Sequence, residues 1–341
     1  MTGYKISLSN QQVYYRLVAF WVVCEAFAGG IMHGINFPFT GMIVSSLAVI
    51  SIILIAWNVP QPSAILKATV IVAVFKLVLS PHSPPTAYIA VFFQGVMGEV
   101  LFANRRYFTA SSILLAVLSL IESSIQRILV LVILYGNNFW NAVNVFIKKL
   151  IGADHTSNYS LLLAILYISL HAIAGLIVGY YGAKLAKRSV EWNLPPELII
   201  EKQPDAIEPN KRKGLKKIKV IFILLWISLV ALFIQSLIMP EQSILPPFIA
   251  VGILFRSFIV VLSWYVVVSP FIMMIIKITL KTQQEKHKHL LNEITRLIPE
   301  TKYIFTKSWQ LSKNKNSVSR LKLFMKIVLM NILSPVENNK T

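Results

Sequence analysis

Residues 108–135 read FTASSILLAVLSLIESSIQRILVLVILY, an apolar run whose only charged residues are Glu122 and Arg127. A hydrocarbon core about 30 Å thick is crossed by roughly 20 apolar residues of helix, so this stretch is long enough to span it. Ser112, Ser119, Glu122, Ser123 and Gln126 recur at spacings of three, four and seven, which gathers them on one helix face and leaves Leu, Val and Ile on the others. The pattern predicts a membrane helix whose polar face looks into a bundle or a cavity.

Seven further apolar stretches lie around it, near 14–34, 39–58, 63–80, 84–103, 159–186, 217–239 and 247–279. None alternates with period two, and Pro38, Pro60, Pro62, Pro81, Pro84, Pro85, Pro240, Pro246 and Pro247 fall in or beside the gaps, where proline starts or ends helices. The expected fold is an all-α polytopic membrane bundle of about eight transmembrane helices. Residues 1–190 form a six-helix membrane domain, 191–216 a basic linker, 217–280 two further spans, and 281–341 a basic tail. Met1–Val13 is polar and lacks the apolar core and cleavage site of a signal peptide, so it reads as mature structure.

Composition agrees with this reading. Hydrophobic residues make up 56% of the 341 and charged residues 14%, against about 25% charged in soluble chains, and the mean hydropathy is +0.66. These figures exclude a soluble cytoplasmic enzyme. The 33 Lys and Arg against 14 Asp and Glu give a net charge of +19. Ten of the basic residues lie between Lys184 and Lys219 and twelve follow Leu280. Basic residues mark the cytoplasmic side, so the linker, the tail and both termini are expected inside, in a membrane of the bacterial inner-membrane type. Lys148 and Lys149 land outside and run against this count. The charge is thus a topology signal and an attraction to the anionic inner leaflet, and no nucleic acid is needed to explain it. In the tail, Val318–Leu333 places Leu321, Phe324, Ile327 and Val328 at helical spacing. Such a helix could lie in the inner leaflet or pack on the protein's own cytoplasmic parts.

Charged groups deep in lipid need partners or water, which singles out a few residues. Glu25, Glu122, Arg127 and Arg256 sit at depths where they could meet, either as ion pairs that fix helix packing or as binders of a polar substrate. Lys67 and Lys76 lie close enough to a helix end to snorkel outward, although Lys76 points to the same outer side as a polar group made of His33, Asn36, His82 and Trp140. Asn137, Asn138, Asn141 and Asn144 join that group from a long loop. Glu99 is expected to pair with Arg105 or Arg106. His33 and His82 lack any spacing that supports a metal site, and the single cysteine, Cys24, excludes a disulfide framework. Small residues recur every fourth position at Ala26, Gly30 and Gly34, and again at Gly175, Gly179 and Ala183, offering smooth surfaces for a close helix approach. The chain contains no phosphate-binding P-loop motif, no nucleophile elbow and no HExxH. No resident cofactor is expected.

Six short-looped helices, the groove at Ala26, Gly30 and Gly34, and the segment LKATVIVAVFKLVLSPHSPPTAYIAVFFQGVMGE resemble the substrate-binding S components of energy-coupling-factor transporters, over about residues 10–190. The resemblance implies binding of a vitamin, cofactor precursor or metal near the outer face. It also implies docking through the helix-one groove onto a transmembrane coupling subunit driven by ABC-type ATPases. Here glycine replaces alanine at two groove positions. The implied substrate site would draw on Glu25, His33, Asn36, Lys76, His82, Glu122 and Trp140. The last two spans and the tail depart from that family. Two other readings stand beside it: an intramembrane enzyme acting on a lipid or isoprenoid, with Glu25 and Glu122 as acid–base groups, and a non-catalytic membrane scaffold.

Overall fold

The protein is described by a computed structural model covering residues 10–25, 39–80, 83–152, 158–189, 195–200, 247–314 and 316–333, with Ile234 and Ile238. Ten α-helices occur among the described residues: α1 (Asn10–Val23), α2 (Thr40–Asn58), α3 (Ala64–Leu79), α4 (Pro85–Leu101), α5 (Phe108–Ile151), α6 (Tyr159–Ser189), α7 (Pro247–Ser263), α8 (Ser269–Lys286), α9 (Lys288–Leu311) and α10 (Ser317–Leu333). No strand occurs among them. Three helical stretches, Thr40–Asn58, Arg105–Gly136 and Tyr159–Ser189, are long and apolar enough to cross a membrane, and Pro85–Leu101 is a shorter apolar helix. The described residues are accordingly those of a helical membrane protein.

α2 stands at the centre of the bundle, touching α1, α3, α4, α5 and α6. It is apolar almost all round, as a helix buried on every side must be. Two of its hydroxyls are satisfied within the helix, Ser46 donating to the Met42 carbonyl at 2.6 Å and Ser51 to that of Leu47 at 2.8 Å. α5 and α6 form the most extensive helix pair. They approach backbone to backbone because Gly175 and Gly179 have no side chain there. A Cβ on Gly175 would stand 2.7 Å from the Val117 Cα, and one on Gly179 would stand 2.5 Å from the Ile113 Cα. The outer side of α6 bears Leu162, Leu166, Ile173 and Ile177, all exposed, as suits a surface whose solvent is lipid.

The segment expected to be an asparagine-rich loop is helical. α5 breaks at Gly136, whose φ of 66° and ψ of −170° are open essentially to glycine alone, and then runs on to Ile151. Val143, Ile147 and Leu150 or Ile151 recur at helical spacing beyond the break. Asn144 then caps α6, its Oδ1 accepting from the Ser160 N–H at 2.7 Å while its Nδ2 donates to Asn158 at 2.9 Å.

The tail is built onto the membrane domain. α9 turns Leu291, Ile294, Ile298, Thr301, Ile304 and Ser308 inward, a spacing of three and four that lays one stripe along α1. Phe20 of α1 stacks on Phe305 at 5.5 Å, Phe305 meets Phe324 of α10 at 6.0 Å, and Phe324 meets Trp309 at 5.5 Å. Arg16 of α1 pairs with Glu300 of α9 at 3.0 Å. Ile327–Met330 of α10 are buried in protein, so this part of the helix packs on the protein's own helices. Leu321, nearly two turns earlier, is exposed. Asn331 of α10 also holds the Pro196–Leu198 turn, accepting from the Ile200 N–H at 2.8 Å and donating to the Leu198 carbonyl at 3.1 Å.

Candidate functional site

Two buried polar centres lie inside α1–α6. The first joins the end of α1 to the end of α3, where Lys76 Nζ donates to Glu25 Oε2 at 2.6 Å and both side chains are almost fully buried, 6% and 3% exposed. Lys76 therefore does not snorkel outward. An ammonium this deep is held by the carboxylate beside it, since either charge alone would be costly in a medium without water.

The second centre is a seam where α2, α4, α5 and α6 meet. Gln94 of α4 donates from Nε2 to Ser45 Oγ of α2 at 3.2 Å. Gln126 of α5 donates from Nε2 both to Glu122 and to the Thr86 carbonyl of α4, the latter at 3.3 Å. A Cβ on Gly41 of α2 would run into Ser123 Oγ, so α2 and α5 nearly touch there. One turn from that contact lie Ser45 on α2 and Ser119 on α5, both buried. The contact of Gly175 with Val117 brings His171, one turn earlier on α6, to the level of Ser119–Ser123. The ring of His171 packs between Phe39 and Tyr167, with centroids 6.4 Å and 4.4 Å away. Its Nδ1 lies 2.9 Å from the Tyr167 carbonyl. A carbonyl only accepts, so Nδ1 carries the proton and Nε2 is left as an acceptor.

What distinguishes this seam is what it leaves unmet. Gln94 Oε1, Ser119 Oγ, Glu122 Oε2 and His171 Nε2 are all buried with no hydrogen-bond partner among the described residues. Most buried polar atoms in proteins are paired, and an unpaired one costs about 1–3 kcal/mol, so four at one level call for an explanation. Three are acceptors and the fourth, a hydroxyl, can be one. The arrangement can bind a group rich in N–H or O–H donors, or a cation.

The other expected positions resolve as follows. Arg127 is exposed on α5 and forms no ion pair with a described acid, because it points away from the face that carries Glu122. The four-residue meeting of Glu25, Glu122, Arg127 and Arg256 is therefore not formed: Glu25 is taken by Lys76 and Glu122 by Gln126. The side chain of Arg256, and those of Asn137 and Asn138, lie outside the described residues, as do Ala26, Gly30, His33, Gly34, Asn36 and His82. Trp140 is half-buried on α5 beyond the Gly136 break. No group of three or more metal-ligating side chains occurs among the described residues.

Glu99 does not pair with Arg105 or Arg106. Its carboxylate accepts the backbone N–H groups of Ser63 at 2.7 Å and Leu66 at 3.3 Å, capping the first turn of α3, where orphan donors and the helix dipole favour a negative charge. Glu99→Ala is expected to lower stability by about 1 kcal/mol, with Glu99→Gln recovering part of it. Thermal unfolding in detergent reads both, and an unchanged midpoint for Glu99→Ala would count against the cap.

Sequence reasoning found the α5 contribution to the seam but missed Ser45, Gln94 and His171. Each lies in a mainly apolar stretch, with no Ser, Asn, Gln or Glu three or four residues away to mark a polar face. No protein family matches the chain, and neither a curated protein nor a solved structure matches it.

Proposed function

We propose that the chain is the ligand-binding component of a membrane uptake system, taking a small donor-bearing molecule from the outer side of a bacterial inner membrane. In this reading the chain makes eight spans, six plus two, with both termini cytoplasmic. α1–α6 form the binding domain. The energy comes from a transmembrane coupling subunit with ABC-type ATPases, the arrangement implied by the resemblance to S components. The observation that carries the proposal is the set of four buried, unpartnered atoms in the α2–α4–α5–α6 seam, Glu122 Oε2 among them. Binding sites that hydrogen-bond their ligand leave such atoms unpaired when the ligand is absent. An intramembrane enzyme is the weaker reading, because Glu25 is tied to Lys76 and the partner of Glu122 among the described residues is the Gln126 amide, which cannot share acid–base work.

The test is mass-spectrometric identification of small molecules retained by detergent-purified protein. A bound vitamin-like or cationic compound is expected. Removing the charged acceptor in Glu122→Gln should weaken its binding about 10- to 100-fold, the equivalent of one hydrogen bond to a charged group, whereas Arg127→Gln should leave it unchanged. Wild-type protein that retains no small molecule, or equal retention by Glu122→Gln, overturns the proposal.

A further inference from the structure

We propose that the end of α6 and the start of α5 hold the phosphate of an anionic glycerophospholipid, whose acyl chains lie along the exposed side of α6. That side carries Ile173, Ile177, Tyr180, Tyr181, Lys184 and Arg188 at spacings of three and four, all exposed. Along the axis hydrocarbon comes first, then two phenols, then two cations. A phospholipid standing against the helix presents the matching order of acyl chains, ester groups at the level where interfacial tyrosines collect, and phosphate. The length also matches. From Ile173 to Arg188 the helix rises about 22 Å, and one leaflet with its headgroups is about half of 40–45 Å.

The start of α5 completes the cradle. α5 and α6 run antiparallel, with Gly175 on Val117 and Gly179 on Ile113, so the last turns of α6 reach the level at which α5 begins. There Lys187 Nζ donates to Thr109 Oγ1 at 2.8 Å. Arg105 and Arg106 occupy the turn just before α5, and both are exposed. Arg105, Arg106, Lys184, Lys187 and Arg188 thus collect at one end of one helix pair. The three ion pairs among the described residues use other groups. Glu99, the acid nearest Arg105 in sequence, is taken by the N–H groups of Ser63 and Leu66. Like charges gathered this way repel one another, and an anion seated among them offsets the repulsion. Phosphatidylglycerol brings a negative charge to the cations and hydrocarbon to Ile173 and Ile177, whereas a free phosphate brings only the charge. A diffuse pull of anionic lipid on the whole basic chain would count every lysine alike; a built site counts these.

Native mass spectrometry of the detergent-purified full-length protein, titrated with phosphatidylglycerol or phosphatidylcholine, separates the two. Phosphatidylglycerol is expected to bind at least tenfold more tightly than phosphatidylcholine. Each basic group near an anionic lipid contributes about fivefold, so Lys184→Gln/Lys187→Gln/Arg188→Gln should weaken phosphatidylglycerol binding by tenfold or more. Arg106→Gln should weaken it about fivefold from the other helix, independently of whether the triple variant folds. Lys288→Gln/Lys307→Gln/Lys313→Gln removes the same charge from exposed positions on and just beyond α9 and should leave the affinity within twofold. Equal binding of the two lipids, equal losses in the two triple variants, unaltered binding by Arg106→Gln, or displacement of the lipid by an equal concentration of glycerol 3-phosphate would overturn the proposal.

Discussion

Lys76→Met is expected to destabilise the protein by about 3–5 kcal/mol, the cost of leaving one member of a buried ion pair without its partner. The Glu25 carboxylate would remain 3% exposed without the ammonium that pairs with it. The double variant Glu25→Met/Lys76→Met removes both charges and should regain most of the loss, since apolar replacements of a whole buried pair are often neutral or better. Arg296→Ala provides the contrast. Its pairing with Glu293 is at the surface, with Arg296 79% exposed, and such pairs contribute about 0–1 kcal/mol. Denaturant unfolding in micelles of all three variants measures the difference. A Lys76→Met protein as stable as Arg296→Ala would show that the pair is not buried as described.

Gly179→Ala should cost about 3 kcal/mol or more, at or beyond the upper end of ordinary overpacking. The new methyl would stand 2.5 Å from the Ile113 Cα and 2.7 Å from the Ser112 carbonyl oxygen, and both are backbone atoms that cannot rotate aside. α5 and α6 would have to separate along their whole contact. Gly182, one turn away on α6, is the matched control. A methyl there meets Ile53 Cδ1 at 3.0 Å and Ile50 Cγ1 at 3.9 Å, side-chain atoms that can shift, with no backbone atom in reach, so Gly182→Ala should change stability by less than about 1 kcal/mol. Melting midpoints of the two variants decide the matter, and equal shifts would argue against a backbone contact at Gly179.

The helical class and the rough position of α2 to α6 were legible because long apolar runs separated by proline admit few alternatives. Gly175 and Gly179 stand on one line in the sequence and at one contact in the structure. Other features were hidden for identifiable reasons. Lys76 looks like a snorkelling lysine until its neighbour is known, because Glu25 lies 51 residues away in sequence. Glu99 is close in sequence to Arg105 and Arg106, and local pairing is the natural expectation. Its actual partners are backbone N–H groups more than 30 residues earlier, which no side-chain pattern records. Gly136 was masked by the asparagines that follow it, since a run rich in Asn suggests a loop even when apolar residues recur at helical spacing. α9 was overlooked as a helix because Pro299 sits within it and its mean hydropathy is low, although its inward stripe is regular.

The contact between α1 and α9 sets a timing problem for the ribosome. Arg16 and Glu300 are 284 residues apart, so at about 5–20 residues per second roughly 15–60 seconds pass between the emergence of one and the other. Throughout that interval the side of α1 that ends up against Phe305 and Ile304 has no native cover. Leu17, Val18 and Phe20, none of which is exposed in the finished protein, must be sheltered meanwhile by lipid, by the insertion machinery or by a chaperone. α1, made before α2 to α10, is therefore among the last of these helices to be completed.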